Sequence, residues 1–406
     1  MMTPVPATPP VRPLGVLLRR RSLIALVLVG LMLAPSVVMF VITRQPSATY
    51  ASIGALIGIV AVAAGGVGIG VRVAVVASLV APLAIVAGLS PVTGAALMAL
   101  MTLVVGRLAL FGLHRATMLV PILVTWPMLT PIPWIPSGLE DSVRTQMTAS
   151  GLTVTEAVAK AQAGPTTSSS ATTSKVAEAL IQQRMNSSYL LWVMAFFFIG
   201  AIVAVAVMAV AVRRVTLPAP EPHSRSEVLP YTITITVLTA GATYYCLANP
   251  KLVAGSFLIA TILVLTQVGN DFNWKLTIQR LLGTLGGVLL LAAIISVLGP
   301  ASYTVVLGVP LPLSIYVIGL VLGVLAVIAK FSPRQWIYYV LIAPAAAMLN
   351  AFTTAQVTNF GDQRLADNVV GAALVLMAAL VTLIASRVLS SRAPDVDPLS
   401  PVSATG

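Results

Sequence analysis

The sequence predicts an all-α polytopic membrane protein of about 12 transmembrane helices, arranged as two parallel six-helix repeats. Three observations carry this expectation. The 406-residue chain is 58% hydrophobic and only 8% charged, with mean hydropathy +1.01, far from the composition of soluble domains. Its apolar residues gather into stretches close to the length that crosses a bilayer. Lys and Arg fall between those stretches in an alternating pattern that reads as sidedness.

In chain order the stretches run 22–42, 49–65, 71–88, 92–106, 117–131, 189–212, 231–247, 252–268, 281–298, 313–329, 336–350 and 365–386. The first follows Arg19-Arg20-Arg21 and is about 20 residues long, with no small-x-small cleavage site closing it, so it reads as a retained span and not a signal peptide. If the N-terminus is cytoplasmic, sixteen of the 23 cations lie inside and seven outside. Four of those seven, Arg144, Lys160, Lys175 and Arg184, share one long segment, which counts little because long segments cross largely regardless of charge. Both termini are therefore expected in the cytoplasm, with the protein multi-pass in a bacterial plasma (inner) membrane.

The expected organisation is a disordered cytoplasmic N-terminus (1–21), a first six-helix repeat (22–212) carrying an extracytoplasmic segment (132–188), a cytoplasmic linker (213–230), a second six-helix repeat (231–387) and a disordered tail (388–406). An even number of spans gives both halves one orientation, hence a parallel repeat. Arg72 and Arg280, 208 residues apart, each open the third span of a half, and an offset of 220 aligns Val120 with Val340, Ile122 with Ile342 and Met128 with Met348. Within 132–188, Thr153 and Glu156 have capping-box spacing, and a second helix is expected over 175–185.

The net charge of +12 reads as a topology signal and a contact for anionic headgroups, so no nucleic acid is expected. Cys246 is the only cysteine, which excludes an internal disulfide or a cysteine-based metal cluster. His114 and His223 fall in separate inner segments and are expected to be structural or solvent-exposed, unable to pair readily with Cys246 or with each other. Of the eleven acids only Asp271, Asp362 and Asp367 lie near spans. Paired catalytic carboxylates, metal clusters and phosphate loops have no candidate, so neither enzyme activity nor a metal nor a cofactor is expected.

Ionisable groups at span borders remain, because a charge inside a helical bundle is costly and usually faces a pathway or a partner. Arg280 opens a segment in which Gly283 and Gly287 share a helix face and Thr284 can hydrogen-bond locally; close packing beside a snorkelling Arg is the plainer reading. Arg364 and Asp367, three apart and followed by Gly371, can meet on one face as a coupling site or as a simple ion pair. Trp336, Tyr338 and Tyr339 read as an interfacial belt more readily than as an aromatic-substrate box.

Arg280, Gly283, Thr284 and Gly287 at the head of one span, with Arg364, Asp367 and Gly371 at the head of a later one, resemble the second-half signature of the fusaric acid resistance/aromatic acid exporter (FUSC-like) superfamily. The resemblance covers roughly 231–387. Arg72 is followed by Val75, Val76, Ala77 and Ser78, so the first half lacks the Gly-Thr element. The resemblance implies a secondary transporter exporting small aromatic or other anionic compounds across the cytoplasmic membrane without a cofactor. Arg280, Arg72 and Thr284 would then bind substrate, with Asp367 as a protonatable partner. The bilayer and a small organic anion or drug-like substrate are the expected partners; protons and a further copy of the chain stay open. The rivals are a passive organic-anion channel, suggested by plant malate channels with a similar six-span unit, and a non-transporting envelope scaffold that works through 132–188.

Overall fold

The computed structural model describes residues 14–132, 134, 181–214, 219–249, 255–269, 274–298, 304–306, 309–311, 313–330, 335–350 and 354–391. Helices dominate, in the order α1 (Leu14–Thr43), α2 (Tyr50–Ala87), α3 (Pro91–Leu108), α4 (His114–Thr117), α5 (Leu119–Leu129), α6 (Ser187–Ala211), α7 (Arg225–Ala248), α8 (Ser256–Leu265), α9 (Trp274–Leu298), α10 (Leu313–Lys330), α11 (Gln335–Asn350) and α12 (Thr354–Ser391). The architecture is all-helical, as expected, with one short antiparallel pair, β1 (Thr304–Val306) on β2 (Val309–Leu311), in the connection between α9 and α10.

Among the described residues, six helical segments are long and apolar enough to cross a membrane: Leu26–Thr43, Pro46–Ala87, Pro91–Phe111, Ser187–Ala211, Trp274–Leu298 and Gly361–Ile384. Shorter apolar helices lie at Ser256–Leu265, Val317–Lys330 and Trp336–Met348. The chain is thus helical and compatible with a multi-pass membrane protein. Two predicted spans are short in the structure: α5 has 11 residues and α8 has 10, about 15 Å each at 1.5 Å per residue, against a hydrocarbon layer of about 30 Å.

The second and third stretches form a single element, α2, broken only at Gly66 (φ 81°, ψ 174°), a conformation that glycine adopts without steric cost. The chain doubles back there. A Cβ on Gly70 would collide with the side chain of Val62, eight positions earlier and about 12 Å away in a straight helix. Both ends of α2 accordingly reach the same end of the bundle. Tyr50 Oη accepts from the Ile132 N–H at 2.7 Å, and Arg184 donates to the Ile85 carbonyl at 3.1 Å and the Met128 carbonyl at 3.0 Å.

The first limb of α2 packs directly on α6. Gly54 abuts the Phe197 carbonyl, Gly58 the Ala201 carbonyl and Gly200 the Ala51 carbonyl. Small residues permit this backbone approach where lipid supplies no hydrophobic drive between helices. Tyr50, Ile57, Tyr189, Phe196 and Phe197 fill the core beside it.

The halves meet where α3 and α7 run antiparallel, with Gly94 opposite Leu247, Gly106 opposite Thr232, and the Thr239 hydroxyl donating to Thr102 Oγ1 at 3.3 Å. Beyond Thr232, His223 N–H donates to the Ala109 carbonyl at 3.3 Å and Gly112 (φ 71°) sits under Glu221. In the first half, segments that the charge pattern places outside therefore gather at one end around Tyr50, Ile85, Ile132, Arg184 and Tyr189, while the Gly112 turn and the segment around Glu221, both placed inside, meet at the other.

Several predicted boundaries shift. Residues 14–21 are helical, part of α1, and α12 runs past 387 to Ser391. The predicted linker 213–230 contains the start of α7 because Ser224 and Glu227 close a capping box, the Ser224 N–H donating to Glu227 Oε2 at 3.2 Å. Most of 132–188, including Thr153 and Glu156, lies outside the described residues, as do 1–13 and 392–406; the described part of the 175–185 helix, 181–185, is helical.

Candidate functional site

Three charged residues, Arg280, Arg364 and Asp367, come together in the second half, where α8, α9, α11 and α12 meet. Arg280, two turns into α9, donates from Nε to Asn368 Oδ1 and from a terminal nitrogen to Thr261 Oγ1, each at 2.9 Å. The Thr261 hydroxyl lies 2.7 Å from Asn368 Oδ1 and 2.8 Å from the Phe257 carbonyl, so its single proton serves one of these acceptors at a time. Asn368 Nδ2 in turn donates to the Arg364 carbonyl at 2.8 Å. Asn368 and Thr261 are 2% and 0% exposed, so nothing from solvent substitutes for these partners.

Arg364 lies one turn before Asn368 on α12. It donates to the Ile342 and Ala343 carbonyls of α11 at 3.3 and 3.4 Å, and its guanidinium carbon stacks 4.3 Å from the Phe257 ring centre. Its Nε is shielded from solvent and has no hydrogen-bond partner. Arg280 lies 5.8 Å from the Tyr339 ring, and Lys330, at the end of α10, lies 4.8 Å from that of Tyr338. Each cation is backed by an aromatic face, which attracts it without neutralising it.

Among the described residues no ion pair joins Arg364 to Asp367, and no carboxylate pairs with Arg280. The expected Arg364–Asp367 pair does not form because the two side chains leave α12 toward different helices. Arg364 reaches α11, and Asp367 faces the backbone of Leu258 on α8, with its Oδ2 shielded and unpartnered. Arg280 and Asp367 are also nearer in depth than a placement at opposite ends of their spans implies, since Arg280 bonds the residue next to Asp367.

The glycines set the spacing around this cluster. A Cβ on Gly283 would come 2.5 Å from Cβ of Tyr339, one on Gly287 2.7 Å from Cβ of Ala343 and 2.8 Å from the Val340 carbonyl, and one on Gly371 2.9 Å from Thr261. Thr284 is buried on α9, but the hydroxyl that Arg280 uses belongs to Thr261. Arg72 is exposed on the second limb of α2 and is not brought to the cluster. Sequence reasoning missed Thr261 and Asn368. Asn368, a polar amide beside Asp367 in an apolar span, carried a readable signal; Thr261 carried none, because its role depends on contact between helices.

A second cluster overturns the expectation that the histidines stand apart. The turn at Gly112 lets the segment leading into α7 cross the end of α3, and the His114 and His223 rings meet edge-on at 5.2 Å, with Tyr231 6.2 Å from His114. His223 Nδ1 lies 3.6 Å from Glu227 Oε2. Burial, then the neighbouring His223 and Arg115, pull the His114 pKa down to about 4, and its Nδ1 has no partner. Among the described residues no group of three His, Cys, Asp or Glu side chains could hold a metal ion.

Comparison with protein-family models, with curated proteins and with solved structures returns no match to this chain.

Proposed function

We propose that the protein is a secondary transporter that exports small aromatic or other anionic compounds across a bacterial plasma membrane, with both termini cytoplasmic and Arg280 and Arg364 forming the anion-binding site. The observation that carries this reading is a pair of arginines enclosed among helices and hydrogen-bonded only to neutral groups. An enclosed, uncompensated cation is costly in a membrane, so an unneutralised pair implies that the missing charge arrives as ligand. The FUSC-like resemblance of the same residues points to the same substrate class. In this scheme Asp367, with one oxygen unpartnered, exchanges the coupling proton. The bilayer and the substrate are the partners, and neither a cofactor nor a metal takes part.

A passive anion channel is the second reading. What favours it is that Asp367 stands as the one carboxylate facing into the described bundle, with Asp362 exposed at the same helix. Reconstituted liposomes decide between the two. An exporter accumulates a radiolabelled aromatic acid against its gradient when an inward-acid pH gradient is imposed. A channel only equilibrates it and gives reversal potentials insensitive to pH. Transport that survives conversion of both arginines to glutamine refutes the site under either reading.

A further inference from the structure

Asn368 links both arginines of the charged cluster. Its Oδ1 receives Arg280 Nε at 2.9 Å and lies 2.7 Å from the Thr261 hydroxyl, and its Nδ2 is fixed on the Arg364 carbonyl at 2.8 Å. This network sets the amide orientation, because the flipped amide would aim its NH2 at the Arg280 N–H. We infer that Asn368 is a positioning residue that holds the Arg280 guanidinium in a fixed orientation while leaving its charge uncompensated, so that an organic anion and not the protein supplies the counter-charge.

The inference rests on the anion-site reading and adds a specific role to a residue that does not itself touch the anion. An aspartate has nearly the same shape and accepts the same hydrogen bond from Arg280, now charge-assisted, but it gives up the Nδ2 donor and sets two oxygens together at the Arg364 carbonyl. Truncating one partner of such a pair is costly, whereas completing it removes the buried unpaired charge. The amide thus serves both contacts, accepting from Arg280 and donating to the Arg364 carbonyl, while the guanidinium charge stays unpaired. The chain does place a carboxylate in the adjacent position, but Asp367 faces α8, away from both guanidinium groups. Asn368 also joins the two arginines, one through its own side-chain acceptor and the other through a backbone carbonyl one turn earlier.

Titration calorimetry of benzoate against the purified full-length chain in detergent tests this, with neutral benzamide as the charge control. Asn368→Asp should weaken benzoate binding by at least about tenfold in protein that still shows a cooperative thermal transition. Asn368→Ser, which loosens Arg280 without adding charge, should weaken it less and keep the preference for benzoate over benzamide. Thr261→Asp puts the same charge on Arg280 from α8 and carries the test if Asn368→Asp does not fold. Unchanged benzoate affinity in any folded carboxylate variant overturns the role of Asn368 alone. Absence of benzoate binding by the unmodified chain instead overturns the anion site, and the inference with it.

Discussion

Gly287→Ala is the sharpest test of how the cluster is built. Its new methyl carbon would stand 2.7 Å from Cβ of Ala343 and 2.8 Å from the Val340 carbonyl oxygen, where carbon atoms pack best at about 3.5–4.0 Å. Rotamer changes give no relief, because one obstacle is backbone and the other is the first atom of a side chain. α9 and α11 must therefore separate by about 1 Å, and overpacking of that kind costs about 1–3 kcal/mol. Alanine also gains up to about 1 kcal/mol over glycine in a helix, which masks part of the loss. Gly241→Ala on α7 supplies the control, since Gly241 is exposed and a Cβ there meets nothing within 4 Å. The difference in unfolding free energy between the two variants, read by circular dichroism in detergent, should be about 1–3 kcal/mol against Gly287→Ala. Equal stability of the two variants would refute the claim that this glycine sets the α9–α11 distance.

Further outcomes follow from the same geometry. Arg280→Lys should retain part of the transport into everted vesicles and Arg280→Gln should raise the apparent KM, because a point charge keeps attraction but loses the two-donor geometry; a wild-type KM in Arg280→Gln refutes the site. Asp367→Asn should abolish pH-driven accumulation yet spare substrate exchange, and it should not rescue Arg364→Gln, since the two side chains are unpaired. Normal pH-driven transport by well-expressed Asp367→Asn moves the preference to the channel. On a Cys246→Ala background, Ser187→Cys and Ser226→Cys should react with an impermeant thiol reagent from opposite membrane faces, Ser226→Cys only in everted vesicles. His114 is held below its usual 6.5, at about 4, so the unfolded chain takes up the proton first: its contribution is complete above pH 6.5 and is lost as pH falls toward 4, by at most about 3 kcal/mol. His114→Gln should flatten that part of the stability profile, and an unchanged profile refutes the burial argument.

Composition was enough to anticipate a helical chain compatible with a multi-pass membrane protein, because bilayer thickness and the cost of exposed backbone leave few alternatives. Boundaries were less legible. The break at Gly66 looked like a loop because the sequence there is merely glycine-rich, and whether such a run bends, turns or continues as helix depends on the partner that covers it. Ser224 and Glu227 did carry a readable cap, inside a segment that its proline and charge content disguised as linker. At the site, Arg280 and Arg364 stood out because charge in apolar sequence is conspicuous. Their partners did not, since Thr261 and the carbonyls of Ile342 and Ala343 become ligands only through helix packing.

The two halves handle partly buried arginine in contrasting ways. Arg184 in the first half ties two helix ends together, donating to terminal carbonyls of α2 and α5 that lack helical partners, the ordinary use of a cation at helix C-termini. Around it, α2 and α6 are in backbone contact at Gly54 and Gly200, so this half has little freedom to shift without breaking van der Waals contact. In the second half Arg280 ends on side chains and Arg364 on mid-helix carbonyls of α11, so neither arginine caps a helix end. Arg72, the sequence counterpart of Arg280, lies exposed. Glycines also hold α9 against α11 at Gly283 and Gly287, so what separates the halves is charge and not packing: Arg184 caps helix ends, whereas Arg280 and Arg364 stand beside neutral side chains and mid-helix carbonyls, which is why the proposed anion site falls in the second half.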